Sequence, residues 1–320
     1  MTHAPLVIET LADSTSAVST STADVLDRYT YCKKLRDTLY GETALYFDKD
    51  WKKMVVLKRI SIPLLQQEDN STDIVIENPL SERAVIQLLE DPLTAHAPGR
   101  EYIVEYEREG FFAAGDSVFV AMEFCAGGDL YDYVTAMPGR RLPETEALLY
   151  FAQIVKGLCF LHAIGVAHRD LSLENVLLKD GHVKICDFGL SADADHFSAD
   201  VVGKFYYMAP EVTQHAVYDP KCADMWSLGV ILFIMLTGSP LFVDENARAP
   251  TLRVLKKYGV GKILELWGLK QHLSKPTINL LASMLQLEPS RRLSAEDVAH
   301  HPLKRAMTRC KTSDVIISSA

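Results

Sequence analysis

Eight consecutive residues near the middle of the chain read His168-Arg169-Asp170-Leu171-Ser172-Leu173-Glu174-Asn175, and a second run, Asp187-Phe188-Gly189, follows them. The two runs contain carboxylates at Asp170 and Asp187 and an amide at Asn175. Phosphoryl transfer from ATP needs a carboxylate that receives the proton of the acceptor hydroxyl, together with oxygen ligands for Mg²⁺. The residue types and their spacing therefore predict a site for this chemistry.

The composition is that of an ordinary globular protein with room for one large or two small domains. The chain has 320 residues, of which 48% are hydrophobic and 23% charged. A net charge of -9 argues against nucleic-acid or acidic-membrane partners and is compatible with basic peptides.

The cysteines and the apolar segments favour a cytoplasmic location. The six cysteines form no CxxC pair or zinc-like spacing, so we expect reduced, buried thiols. The N-terminus lacks the pattern of a secretory signal. The longest apolar stretch, Leu228 to Leu236, is too short to span a bilayer and predicts a buried helix.

Secondary-structure patterns divide the chain into two parts. Residues 1–24 are rich in Ser, Thr and Ala and predict a disordered or loosely attached leader; the alternative is a short strand or helix that docks on the domain through Leu6-Val7-Ile8. Strand-like alternation follows, at Thr43–Phe47, Met54–Lys58, Tyr102–Tyr106 and Val118–Met122, with one helix at Ser81–Leu89. After Cys125 we expect helices, at Glu144–His162, Asp224–Leu236, Leu252–Trp267, Ile278–Leu285 and Ala295–His300.

These runs resemble the catalytic core of the eukaryotic protein kinases. Three further runs carry the same resemblance: Met208-Ala209-Pro210-Glu211, Asp224-Met225-Trp226-Ser227-Leu228-Gly229 and Glu288-Pro289-Ser290-Arg291-Arg292. The resemblance implies an α+β, bilobal fold with a small antiparallel-sheet lobe at about 28–123, a larger helical lobe at about 126–303 and a tail at 304–320. It also implies that Asp224 caps the catalytic-loop backbone and that Glu211 and Arg292 form a buried pair.

The resemblance assigns roles to five residues. Asp170 would accept the proton of a protein hydroxyl, more often Ser or Thr than Tyr, and Asn175 and Asp187 would hold Mg²⁺. Lys58, in Val55-Val56-Leu57-Lys58, would contact the ATP phosphates and would be held by Glu82 on the predicted helix.

The remaining nucleotide-binding positions are less well matched. The resemblance assigns them to Gly41, Thr43, Val56, Met122, Glu123, Cys125, Asp129, Leu177 and Cys186. In the segment Arg36 to Gly41, which corresponds to the family's glycine-rich loop, only Gly41 is a glycine. Arg36 and Thr38 restrict the approach of backbone to phosphate, and Asp37 adds negative charge there.

Two residues depart from the family pattern together. Ser172 stands where serine/threonine kinases carry a lysine, and Lys204 stands where they carry a threonine, in Gly203-Lys204-Phe205-Tyr206-Tyr207. We hypothesise a reciprocal exchange, in which Lys204 reaches back to Asp170 and the phosphates and Ser172 takes the threonine's hydrogen-bonding place. The alternative is two unrelated losses in a pseudokinase that acts as a scaffold or allosteric partner.

Regulation and substrate preference give two further hypotheses. Asp200 falls on the usual phosphothreonine position, with Arg169 as its partner; Asp200 could equally be a solvated acid, and Ser191 and Ser198 are alternative phosphosites. Asp129 and Glu174 lie where kinases that favour basic residues near the target carry acids, so we expect such a preference. The oligomeric state is not predicted by the sequence.

Overall fold

The computed structural model describes residues 22–68, 78–242 and 244–302. Most of the predicted leader and the whole predicted tail at 304–320 lie outside the described residues; the last part of the leader belongs to a short helix, α1 (Thr22–Asp27). The chain forms two compact units, one comprising Met1–Leu88 and Val104–Phe124 and the other Leu89–Ile103 and Cys125–Ala320.

The smaller unit is built on an antiparallel sheet of five strands in the order β1-β2-β3-β5-β4. The strands are β1 (Tyr29–Thr38), β2 (Gly41–Asp48), β3 (Lys53–Ser61), β4 (Tyr106–Ala114) and β5 (Ser117–Glu123). Apolar side chains that alternate along these strands form a buried cluster, which α1 helps to cover: Tyr29, Val55, Leu57, Phe119 and Ala121. The predicted small antiparallel sheet is therefore confirmed.

Two helices complete the smaller unit, α2 (Ile62–Glu68) and α3 (Pro79–Glu90). The Oδ1 atom of Asn78 accepts a hydrogen bond from the backbone N–H of Leu80 at 2.9 Å, and Pro79 occupies the first helical position, where its missing N–H costs nothing. This start places Glu82 in the first turn of α3, within the helix that the sequence predicts.

The larger unit is mainly helical. Its helices are α4 (Leu130–Ala136), α5 (Glu144–Ala163), α6 (Pro210–Thr213), α7 (Pro220–Thr237), α8 (Glu245–Tyr258), α9 (Val260–Leu266), α10 (Lys275–Met284) and α11 (Ala295–Ala299). The unit also has two short antiparallel strand pairs, β6 (Val166–Ala167) with β9 (Ala192–Asp193), and the hairpin of β7 (Val176–Lys179) with β8 (His182–Ile185). The α+β class with a larger helical part is confirmed.

The helix α7 forms the centre of the larger unit. It is apolar nearly all round and is buried along almost its whole length, as predicted for Leu228 to Leu236. By length and composition alone, α5 and α7 could cross a membrane. Because 61% and 83% of their apolar windows are buried inside the fold, which is typical of core helices, they give only weak evidence for a span.

Three predictions about local structure are wrong. Tyr102–Tyr106 is not a strand: residues Arg100–Tyr102 form a 3₁₀ turn, and β4 begins only at Tyr106. Tyr102 and Ile103 are both buried, so they do not alternate between two faces as strand residues would. The side chains of both pack against Gly157 on α5.

The predicted helix Leu252–Trp267 is two helices, because α8 ends at Gly259 and α9 begins after it. The cysteines are free thiols in the described part of the chain, but Cys32 is exposed on β1 rather than buried. That strand lies at the edge of the sheet, where side chains along it face solvent.

Candidate active site

The catalytic-loop backbone around Asp170 is held by a carboxylate at the start of α7. Asp224 accepts hydrogen bonds from the backbone N–H groups of His168 and Arg169, at 2.9 and 2.8 Å, and contacts Nε2 of His162 at 2.9 Å. Burial would raise the pKa of Asp224, but these hydrogen bonds and the neighbouring imidazoles hold it below its ordinary value. The capping role that the sequence suggests for Asp224 is present in the structure.

Lys204 lies against both Asp170 and Ser172. Its Nζ atom donates to Oδ2 of Asp170 at 2.7 Å and to the hydroxyl of Ser172 at 3.1 Å. Its backbone N–H also donates to Oδ1 of Asp170 at 3.0 Å. Ser172 is fully buried, whereas the Lys204 side chain is 38% exposed. The structure therefore brings together the two residues that the exchange hypothesis pairs.

A close backbone approach at Gly203 makes this contact possible. The residue adopts a φ of 96°, and a Cβ atom there would lie 2.6 Å from the carbonyl oxygen of Arg169. Any larger residue would combine a left-handed conformation with a clash against the catalytic loop. Glycine at 203 thus lets the segment carrying Lys204 fold back onto Asp170.

Asn175 and Asp187 provide oxygen atoms suited to Mg²⁺. Asn175 donates through Nδ2 to the carbonyl and to Oδ2 of Asp170, both at 2.8 Å, which leaves its Oδ1 oxygen for another partner. Asp187 has a positive φ of 69°. The described residues contain no cluster of three or more His, Cys, Asp or Glu that could hold a metal. One carboxylate and one amide fit Mg²⁺, which takes few protein ligands beside phosphate and water.

In the smaller unit, Lys58 and Glu82 form a buried ion pair. Nζ of Lys58 lies 3.1 Å from Oε2 of Glu82, and the two side chains are 6% and 0% exposed. The hydroxyl of Tyr106 donates to Oε1 of Glu82 at 2.9 Å. Both carboxylate oxygens of Glu82 therefore have donors, as a buried charge requires.

The segment Arg36 to Gly41 comprises the end of β1, a two-residue turn at Leu39 and Tyr40, and the first residue of β2. Thr38 pairs with Gly41 across that turn. A Cβ atom on Gly41 would lie 2.0 Å from the carbonyl oxygen of Arg59 on β3. The close approach of β2 to β3 therefore requires glycine at this position. The exposed carboxylate of Asp37 pairs with Lys34, which partly offsets its charge.

The other predicted nucleotide positions are divided between the units. Thr43, Val56, Met122 and Glu123 lie on strands of the smaller unit, with the last three buried. The larger unit contains Cys125, Asp129, Leu177 and Cys186. Asp129 is buried and its Oδ1 accepts the N–H of Asp132 at 2.8 Å, so this carboxylate serves as the N-cap of α4.

Arg169 connects the catalytic loop to the segment that follows Asp187. It donates to the carbonyl of Leu190 at 2.7 Å, to Oγ of Ser198 at 3.0 Å and to Oδ2 of Asp200 at 2.7 Å. Asp200 is therefore paired rather than simply solvated. Ser191 is buried and donates to a backbone carbonyl, which makes it a poor phosphosite.

A second predicted ion pair is bidentate. Arg292 donates from its two terminal nitrogens to the two carboxylate oxygens of Glu211, at 2.5 and 2.7 Å. This pair holds the start of α6, directly after the Lys204 segment.

Sequence reasoning missed three residues that support the site. They are His162, which contacts Asp224, Tyr106, which contacts Glu82, and Arg248, which binds backbone carbonyls next to Lys204. No local pattern marks Tyr106 or Arg248, because each meets its partner only in the folded chain. The sequence does mark His162, because it is a polar residue at the end of an otherwise apolar helical face.

Comparisons with known proteins identify the family. The protein kinase domain family matches residues 29–303. CBL-interacting protein kinase 4 of Oryza sativa subsp. japonica is 38% identical over 60% of this chain and 42% of its own length. Calcium-dependent protein kinase 14 of the same organism is 34% identical over 87% of the chain and 50% of its own length.

A third relative, serine/threonine-protein kinase SRK2B of Arabidopsis thaliana, is 30% identical over 87% of the chain and 72% of its own length. The chain therefore belongs to the protein kinase domain family. It spans half or less of the length of the two rice relatives.

Proposed function

We propose that the chain is an ATP- and Mg²⁺-dependent protein serine/threonine kinase in which Lys204 supplies the cation that the catalytic loop lacks at Ser172. The observation that carries the proposal is the contact of Lys204 Nζ with Asp170 and Ser172, at 2.7 and 3.1 Å. The family match and the names of the relatives support the reaction class.

The chain's own residues divide the work of phosphoryl transfer. Asp170 orients the acceptor hydroxyl and takes its proton at Oδ2 or Oδ1. Asn175 and Asp187 would hold Mg²⁺, which would neutralise charge on the phosphates. Lys58, kept in place by Glu82, holds phosphate oxygens of ATP.

Lys204 provides the remaining positive charge. An ammonium group has three donors. Asp170 and Ser172 take two of those of Lys204, and the third has no partner among the residues that the structure describes. With 38% of its side chain exposed, Lys204 can direct that donor to the transferring phosphoryl group.

A matched pair of lysine variants tests the role of Lys204. Lys204→Met should lower the rate of phosphate transfer about 10²–10³-fold, the usual cost of removing one electrostatic donor. Lys221→Met, at a lysine that pairs with an exposed carboxylate, should change the rate less than about twofold. Equal rates for both variants would contradict the assignment.

The second candidate function is an ATP-binding pseudokinase that acts as a scaffold or allosteric partner. The observation that favours it is the segment Arg36 to Gly41, where Arg36 and Thr38 stand on the end of β1 in place of glycines and Gly41 is required by its close approach to β3. Against it stands the intact set Lys58, Glu82, Asp170, Asn175 and Asp187.

One experiment separates the two candidates. Thermal stability is measured with and without Mg-ATP, and transfer of labelled phosphate is measured on myelin basic protein. A kinase shows both stabilisation and transfer, and Asp187→Asn should abolish the transfer. Stabilisation by Mg-ATP without any transfer would favour the scaffold.

A preference for basic residues near the target is proposed through Glu174. Glu174 is half-buried and follows Asp170 in the catalytic loop, where the accessible part of its carboxylate could receive a substrate guanidinium. Asp129 contributes less, because it caps α4. A peptide array on which phosphorylated sequences show no enrichment in Arg or Lys would remove this part of the proposal.

A further inference from the structure

Arg248 on α8 has unusual surroundings for a charged side chain. The residue is only 8% exposed, and its guanidinium lies over the rings of Phe205 and Phe242, at 5.0 and 4.7 Å from their centroids. Cation–π contacts of this kind stabilise a desolvated cation. The two rings also contact each other, with centroids 5.8 Å apart, so the guanidinium packs against an aromatic pair that fixes its position.

The guanidinium binds main-chain carbonyls of one short segment. Arg248 donates to the carbonyl oxygen of Phe205 at 3.1 Å, to that of Met208 at 2.9 Å and, at a longer 3.4 Å, to that of Ala209. These carbonyls directly follow Lys204 in the chain. The planar fork of an arginine can reach several acceptors at once, which a lysine cannot do.

Two other carbonyls of the segment also have donors. That of Lys204 accepts the N–H groups of Tyr207 and Met208, at 2.9 and 3.1 Å, and that of Tyr207 accepts the hydroxyl of Ser227 at 2.9 Å. Residues 204–209 thus form a turn that is anchored to α7 and α8. Of the two side chains named here that donate to this turn from other elements, Ser227 and Arg248, only Arg248 carries charge.

Burial affects the charge of Arg248 without removing it. Desolvation lowers its pKa to about 10, and the charge of Glu211 opposes that change. The side chain therefore stays protonated at neutral pH. Among the residues that the structure describes, its partners are carbonyl oxygens and aromatic rings, so its placement serves the turn rather than a neighbouring carboxylate.

We propose that Arg248 is a positioning residue for phosphate transfer, which fixes the turn 204–209 so that Lys204 Nζ stays against Asp170. This inference rests on the proposed function, since it requires Lys204 to be the catalytic cation. A lysine on the catalytic loop would be positioned by that loop. Because Lys204 lies on a separate turn, its position relative to Asp170 depends on how firmly that turn is held. Displacement of a catalytic group by about 1 Å can cost about 10²-fold in rate.

A double-mutant cycle tests whether Arg248 acts through Lys204. Single-turnover transfer from Mg-ATP to myelin basic protein is measured for wild type, Arg248→Met, Lys204→Met and the double variant, with Arg253→Met as control. Arg253 lies on the same helix but is exposed. We expect Arg248→Met to lower the rate about 10–10²-fold, and Arg253→Met to change it less than about twofold.

The decisive comparison is made in the Lys204→Met background. There, adding Arg248→Met should slow transfer by no more than about twofold, because the group that it positions is already gone. An equal loss in both backgrounds would overturn the proposal and assign Arg248 a general structural role. An unchanged rate for Arg248→Met, with Lys204→Met impaired, would also overturn it while leaving the proposed function intact.

Failure of the proposed function gives a different result. If Lys204→Met transfers phosphate as fast as wild type, the assignment of Lys204 is wrong, and the role of Arg248 falls with it. Thermal melting checks that each variant folds. If Arg248→Met does not fold, Arg248→Lys is measured instead. We expect it to lower the transfer rate by a smaller factor, and again to have little effect in the Lys204→Met background. If neither variant folds, Arg248 is structural and the proposal is overturned.

Discussion

Each unit of the molecule contains a lysine in contact with a carboxylate, and the two contacts differ in their surroundings. Lys58 and Glu82 are 3.1 Å apart, with side chains 6% and 0% exposed. Lys204 and Asp170 are closer, at 2.7 Å, but their side chains are 38% and 11% exposed. The first pair joins a strand to a helix, and the second joins two loops.

This difference shows that the N–O distance of an ion pair does not by itself determine how much the pair stabilises the fold. A buried pair is costly to break, because the remaining charge is left without water or a partner. An exposed pair contributes little to stability, because water can replace either partner. We therefore expect Lys58 to matter for folding and reaction alike, and Lys204 to matter for reaction alone.

The largest expected effect comes from breaking the buried pair. Lys58→Met should lower the free energy of unfolding by about 3–5 kcal/mol, because Glu82 stays buried without its cation. Lys34→Met is the matched control, since Lys34 lies on the same sheet and pairs with the exposed carboxylate of Asp37. Urea unfolding of both variants measures the difference, and losses of equal size would contradict the comparison.

The next largest loss of stability is expected at Asp224, which holds the backbone of the catalytic loop that carries Asp170. Asp224→Asn should lower the free energy of unfolding by about 2–3 kcal/mol, because the charged acceptor of two backbone N–H groups is lost. The pKa of Asp224 is depressed below 3.8, so its contribution is present at neutral pH and is lost as the pH falls below 3.8 through the folded-state pKa.

Urea unfolding of wild type and Asp224→Asn between neutral and acid pH tests that sign. The stability difference between the two proteins should be constant above about pH 5 and should shrink on further acidification. A difference that stays constant down to acid pH would show that the charge of Asp224 is not the stabilising feature.

A smaller effect is expected from the backbone approach that brings Lys204 to Asp170. Gly203→Ala should cost about 1–3 kcal/mol of stability and should also slow phosphate transfer. The matched control is Gly165→Ala, because Gly165 has a positive φ of 79° but open space around its Cβ position. If both variants transfer phosphate at the same rate, the close approach at Gly203 is not needed for the reaction.

The smallest stability effect is expected at Lys204 itself. Lys204→Met should change the free energy of unfolding by less than about 1 kcal/mol, because its side chain is more than one-third exposed. A loss close to that of Lys58→Met in the same urea experiment would show that the two ion pairs contribute equally to the stability of the fold.

Much of the fold was predictable, since it depends on local patterns. Alternating apolar residues indicate β2, β3 and β5, and the long apolar run indicates α7. Tyr102–Tyr106 was assigned wrongly because burial of neighbouring residues against α5 is a tertiary effect that alternation does not encode.

The candidate site was predictable where residue types and spacing carry the chemistry. The departures from the family pattern at Ser172 and Lys204 predict that the two residues lie in contact. The supports at Tyr106 and Arg248 were not predictable, because they meet partners 24 and 40 residues away, at Glu82 and Met208. Nothing in the local sequence distinguishes such residues from ordinary strand or helix positions.

The exchange of residue types between positions 172 and 204 gives the most direct measurement. Single-turnover phosphate transfer is compared for wild type, Ser172→Lys, Lys204→Thr and the double variant. Lys204→Thr should be about 10²–10³-fold slower than wild type. Ser172→Lys should also be slowed, because it adds a second cation at a fully buried position beside Lys204.

The double variant returns the lysine to the catalytic loop and the hydroxyl to the turn. The account predicts that it regains at least about tenfold of the rate lost in Lys204→Thr, because transfer depends on the presence of a positioned cation more than on its place in the chain. A double variant no faster than Lys204→Thr, or no transfer by any of the four forms, would contradict the account.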